Sequence, residues 1–116
     1  NILFLAHLRQ AKFEFSLLIN PKLSVMYETT PPIYLKIAEL LFEQIGTRDF
    51  YSGGVTLNDG DIECRLICTL VVERDRQNNN RITALLPVWW EFKTMAGGGE
   101  LCNDFSWSEM LQTVGL

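Results

Sequence analysis

Histidine is nearly absent: the chain contains a single one, His7. Acid–base catalysis built on imidazole, and metal centres built on paired histidines, therefore have little to stand on. Cysteine is scarce too. Cys64, Cys68 and Cys102 cannot all pair within one chain, so a disulfide framework is not expected. Cys64 and Cys68 are four apart in a strand-like pattern, which places them on one face about 13 Å from each other, too far to bond. They read as small buried apolar residues, and reduced thiols point toward a cytoplasmic setting. Positive charge is in deficit, with 10 Lys and Arg against 14 Asp and Glu and a formal charge of -4. That balance argues against broad capture of nucleic acid or of an anionic membrane surface.

Long apolar runs are also missing. The opening stretch Ile2 to Leu8 is interrupted by His7 and, at about seven residues, is too short for a membrane span. It has neither a basic segment before it nor a small-residue cleavage site after it, so it does not read as a secretion signal. A short helix or strand docking on the core is the simpler expectation. No Cys-x-x-Cys pair, His-x-x-x-His spacing or carboxylate-rich calcium loop occurs, so no metal or cofactor is assigned. Gly53-Gly54 and Gly97-Gly98-Gly99 lack the lysine and the strand-to-helix setting of a phosphate loop, and read as turn or hinge punctuation.

What is present is ordinary globular material: 116 residues, 47% apolar and 21% charged. A chain of this length buries about two thirds of its unfolded surface and can hold one core unaided. One domain is expected over residues 1–116, with residues 1–11 left as an unassigned N-terminal segment.

Residues 12–19 and 22–29 are rich in strand formers and are separated by Asn20-Pro21, which suggests a first hairpin. In the second arm Leu23, Val25 and Tyr27 alternate with polar positions. Thr30, able to cap, precedes Pro31 and Pro32, and Gly46 follows Ile45; between them Ile33, Ile37, Leu40, Leu41 and Ile45 form an apolar stripe. An amphipathic helix from Pro31 to Ile45, lying across a sheet, is the reading. Asp59-Gly60 between apolar alternations marks a tight hairpin. On its second arm Ile62, Cys64, Leu66, Cys68, Leu70 and Val72 share one face, with Ile67 and Val71 on the other.

Residues 74–81 are polar throughout and read as an exposed loop. In the strand that follows, strict alternation puts Ile82, Ala84, Leu86, Val88, Trp90 and Phe92 on one face. Thr83, Leu85, Pro87, Trp89, Glu91 and Lys93 then lie on the other. Pro87 donates no ladder hydrogen bond, so it marks either an edge or a bulge. Ser106-Trp107-Ser108-Glu109 has the spacing of a capping box, flanked by Phe105 and Met110 as a hydrophobic staple, which predicts a short final helix.

The fold class that follows is α+β: a mainly antiparallel, twisted sheet of about five strands, one amphipathic helix packed on a face, and a short C-terminal helix. Long strands gripping one helix are compatible with a cystatin-like or nuclear-transport-factor-like cone, an analogy of architecture that carries no function.

Among chemistry-bearing groups, Asp59, Asp61 and Glu63 are explained by the hairpin tip, and Arg74, Arg76 and Arg81 lack the neighbouring aromatics that single-stranded nucleic-acid contact uses. Cys102 has no base near it in sequence. The stretch from Pro87 to Phe92 is the most distinctive. Trp89, Leu85, Ile67 and Val71, beside Glu91 and Arg65, are expected to form an apolar surface for a protein partner or a second copy of the chain. This favours a non-enzymatic binding or self-assembly domain. The alternative is a small ligand-binding protein or hydrolase, of unspecified ligand, with a pocket between helix and sheet and Glu91, Asp104 or Glu63 as its acid or base.

Overall fold

A computed structural model describes residues 26–116. The N-terminal segment 1–11 and the hairpin expected around Asn20-Pro21 lie outside the described residues, apart from the end of that hairpin's second arm. The elements run β1 (Met26–Tyr27), α1 (Pro31–Ile45), β2 (Phe50–Asp59), β3 (Ile62–Asp75), β4 (Arg81–Ala96), β5 (Gly99–Asn103) and α2 (Trp107–Thr113). The five strands form one sheet in the order β1-β5-β4-β3-β2. All neighbours are antiparallel except β1 and β5. The α+β class, with its long helix and short C-terminal helix, is therefore the observed one.

Helix α1 has the expected bounds, but its N-terminus is closed differently. Pro31 and Pro32 have no N–H, so the first donors are those of Ile33 and Tyr34, and both reach the Thr30 carbonyl at 3.0 Å. The Thr30 hydroxyl consequently makes no cap hydrogen bond. At the other end Gly46 takes a positive φ of 55° and its N–H bonds the Phe42 carbonyl. Ile33, Tyr34, Ile37, Ala38, Leu41 and Ile45 are buried on the sheet, while Leu40 is half-buried. Opposite them lie Cys64, Leu66, Cys68, Leu70 and Val72, the face of β3 read from its alternation.

The β2–β3 hairpin closes at Gly60-Asp61, with Asp59 paired to Ile62 and Gly60 at φ 61°. Gly53 and Gly54, read from sequence as punctuation, sit inside β2 instead. Their small size is used for close approach. The Tyr51 ring lies across Gly53, where a Cβ would come within 2.7 Å of the tyrosine Oη, and that hydroxyl donates to Gln44 Oε1 on α1 at 2.7 Å. Strand β5 was not anticipated either. Gly97 and Gly98 both take positive φ, which lets the chain reverse in two residues and pair Gly99 with Ala96.

The polar loop between β3 and β4 is shorter than expected, because Arg74, Asp75 and Arg81 belong to the strands. Arg74 is spent structurally. Its guanidinium donates to the carbonyls of Gly46 at 2.8 Å, Arg48 at 2.7 Å and Asn80 at 3.1 Å, and lies 3.3 Å from Asp49. It ties the C-terminal end of α1 to the far end of the long hairpin.

The face assignment of β4 needs correction. Thr69 pairs with Trp89 but Leu70 pairs with Pro87, so Val88 is an extra, unpaired residue; a second step between Glu73 and Arg74 leaves Thr83 unpaired. Strict alternation along β4 fails at each bulge. Leu85 was expected on the outer face with Trp89, yet it is paired with Val72 toward the helices and only 2% exposed. Leu86, expected inward, pairs with exposed Val71 and is 45% exposed. Among the described residues Pro87 also lies at an edge, since β5 pairs with β4 only over Thr94–Ala96.

Neighbouring leucines should respond oppositely to truncation. Leu85→Ala should lower the unfolding free energy in urea by about 2–5 kcal/mol, and Leu86→Ala by no more than about 0.5 kcal/mol. Equal losses would contradict the bulged register.

Candidate functional site

Directly paired residues share a sheet face, so the register defines the surface turned away from the helices. Row by row across β2, β3 and β4 it presents Phe50–Val71–Leu86, Ser52–Thr69–Trp89, Gly54–Ile67–Glu91 and Thr56–Arg65–Lys93. Five of the six expected residues are thus brought together: Trp89, Glu91, Ile67, Val71 and Arg65. Leu85 is not, for the reason given by the Val88 bulge.

The structure adds Phe50 and Leu86 to this surface. Phe50 is 58% exposed and Trp89 51%, with Val71 and Leu86 also exposed. Phe50 was hidden from sequence reading because the Gly53-Gly54 pair obscured the strand it begins. Its alternation with buried Tyr51, Val55 and half-buried Leu57 was the usable signal. Leu86 could not be found by alternation, since the bulge reverses it.

Polar groups frame the apolar rows. The Ser52 and Thr69 hydroxyls hydrogen-bond at 3.0 Å, Lys93 Nζ lies 3.2 Å from Glu91, and Arg65 lies 4.0 Å from Glu63. These ion pairs are exposed and hold little energy, so they leave their charges available to a partner.

The opposite face is packed under aromatic rings, with Trp90 at its margin still 37% exposed. Phe105 stacks on Phe92 with centroids 4.3 Å apart and meets Tyr34 at 5.4 Å and Trp90 at 5.3 Å; Trp90 stacks on Trp107 at 6.2 Å. The capping box of α2 is present in modified form. Ser106 Oγ accepts from the Glu109 N–H at 3.3 Å, but the Glu109 carboxylate does not return to Ser106. The Tyr34 hydroxyl is inserted between them, accepting from the Ser106 N–H at 2.9 Å and donating to Glu109 Oε2 at 3.1 Å. One phenol thereby fixes α2 to α1.

The alternative acid–base residues are dispersed. Glu63 and Glu91 lie on the outer face, and Asp104 Oδ1 accepts from the Thr29 N–H at 2.7 Å. A cavity of about 460 Å³ between Phe42, Ile82 and Val114 and a polar one of about 260 Å³ beside Asp49 and Arg74 have none of the three in their walls. Among the described residues no cluster of three metal-ligating side chains occurs, and no helix is long and apolar enough to cross a membrane. His7 lies outside the described residues.

Burial pushes the Cys68 thiol up from 9.0 to about 11 and also raises Cys64. Both are protonated at neutral pH and poor nucleophiles. Cys102 is exposed. Burial likewise lifts Tyr34 to about 12 and raises Tyr27, whose hydroxyl donates to Asp59 Oδ2 at 2.7 Å.

Comparison with known proteins finds no matching family model, no matching curated protein and no matching solved structure. Geometry alone therefore bears on function.

The raised thiol and phenol values fix the sign of an alkaline effect. The folded state holds these protons more tightly than the unfolded chain, so the stabilisation is complete below the unfolded values and is lost as pH climbs toward the folded ones. Urea unfolding should give a constant free energy from neutral pH to about 9, then a decline toward about 11 that Cys68→Ala makes shallower. A decline complete before pH 9.0, or one unchanged by Cys68→Ala, would contradict the assignment.

Proposed function

We propose that the domain is a non-enzymatic protein-binding or self-assembly module whose contact surface is the outer sheet face around Trp89. The observation that carries this reading is the continuity of exposed apolar side chains across three paired strands, Phe50, Val71 and Leu86, with Trp89 in the next row. Single exposed apolar residues are normal on any protein, whereas a contiguous group with a charged rim is the pattern of a contact surface. Tryptophan contributes large contact area at small entropic cost, and arginine forms strong directional pairs; Trp89 and Arg65 supply one of each.

The edge of β4 offers a weaker route to association than the face. Pro87 removes a donor, and the bulges at Thr83 and Val88 break the regular ladder, both of which are devices that blunt strand addition. The face has no such obstacle among the described residues. The reading also accounts for the mixture of Glu63, Arg65, Glu91 and Lys93 around the patch, since rim charges set orientation and encounter rate more than affinity.

Light scattering across a concentration series tests it. The wild-type chain should associate, and Trp89→Lys should abolish that association while the far-ultraviolet circular dichroism stays unchanged, as expected for a substitution at an exposed position. Loss of the fold in Trp89→Lys, or association equal to wild type, would overturn the reading.

A further inference from the structure

The outer face is arranged so that it fits a copy of itself. We propose that its occupant is a second copy of the chain, packed face to face about a two-fold axis that lies over the Ser52–Thr69–Trp89 row and runs across the strands. This inference rests on the contact-surface reading above and specifies its partner and register.

A two-fold axis in that position inverts the rows while keeping the strands in their columns. Residues equally spaced above and below the axial row then meet across the interface. On β3, Val71 stands two residues above Thr69 and Ile67 two below, so the two aliphatic side chains oppose each other twice. Glu73 stands four above and Arg65 four below, so each copy's acid meets the other's base. Both are exposed, and Glu73 has no ion pair among the described residues. On β2, Phe50 stands two above Ser52 and Gly54 two below. The most exposed aromatic ring of the face thus lands on the one position of the face with no side chain, where even a Cβ would crowd the Leu66 carbonyl at 3.1 Å. On β4, Leu86 meets Glu91, whose carboxylate is already drawn to Lys93 at 3.2 Å.

The Phe50–Gly54 fit and the Glu73–Arg65 charge match are therefore produced by one symmetry operation, with no adjustment of register. Packed sheets keep their strands within about 30° of each other. At Glu73 and Arg65, about 13 Å from the axis, that twist displaces partners sideways by roughly 7 Å, a gap that a glutamate and an arginine side chain together can span. The surface from Glu73 to Arg65 is about 26 Å long and, over three strands, about 14 Å wide, roughly 370 Å² per copy and about 750 Å² per pair in projection, which puts the dimer in the range of weak, transient contacts. Such a dimer is concentration-dependent.

Sedimentation equilibrium on the full chain decides the matter, using wild type, Glu73→Arg, Arg65→Glu, the double reversal and Trp89→Lys, each with circular dichroism as a folding control. The wild type should show a monomer–dimer equilibrium. Each single reversal places like charges together twice and should weaken it about tenfold or more, and the double reversal should restore it to within about threefold of wild type. A dimer that Trp89→Lys abolishes but the charge reversals leave intact overturns this register while the contact-surface reading stands. A dimer that survives Trp89→Lys as well overturns both. A monomer at every concentration overturns the second copy as occupant, including the case in which residues 1–25 of the same chain cover the face.

Discussion

Side chains alternate strictly along a paired strand, so a single unpaired residue reverses every position on one side of it relative to the other. Val88 is that residue in β4. It lets Trp90, Phe92 and Thr94 face the helices at one end of the strand while Leu85 does so at the other. Without it, one half of this 16-residue strand would turn its apolar side chains to solvent and its polar ones inward. The bulge thus supplies both a closed core and an outer surface on which Leu86 and Trp89 are displayed together.

Two polar clamps hold the helical layer against the side of the sheet that this arrangement buries. Arg74 satisfies the carbonyls left over where α1 ends, reaching Gly46 and Arg48 from the end of β3. Tyr34 completes the cap of α2 and fixes it to α1. A guanidinium with several acceptors and a buried phenol with both a donor and an acceptor avoid the cost of unsatisfied buried polar groups. With that layer occupied, the carboxylates suggested for acid–base work stay outside or serve as hydrogen-bond acceptors. On the opposite face Phe50, Val71, Leu86 and Trp89 are left exposed side by side.

Much of this was legible in the residues themselves. The two prolines and Gly46 bound α1 because backbone constraints act locally, and the alternation of β3 named its buried face from Cys64 to Val72. Ser106 and Glu109 marked the start of α2, although nothing in their spacing could disclose Tyr34 between them. Pro87 signalled an irregularity without saying where the extra residue lies, so Leu85 and Leu86 exchanged faces. That displacement is set by how β4 packs on β3 and has no local signature. Phe50 and β5 were missed for a related reason. Glycine pairs end strands in some contexts and permit close packing or a two-residue reversal in others, and only the neighbouring strand distinguishes these uses.

Hydroxyl-radical footprinting of the dilute, monomeric chain, read residue by residue at Leu85, Leu86 and Trp89, reports which way β4 turns its side chains on either side of Val88. The bulged register predicts strong labelling of Leu86 and Trp89 and protection of Leu85 beside them. Labelling of Leu85 with protection of Leu86 would show that alternation runs unbroken through Val88, and would contradict both the face assignment and the surface built on it.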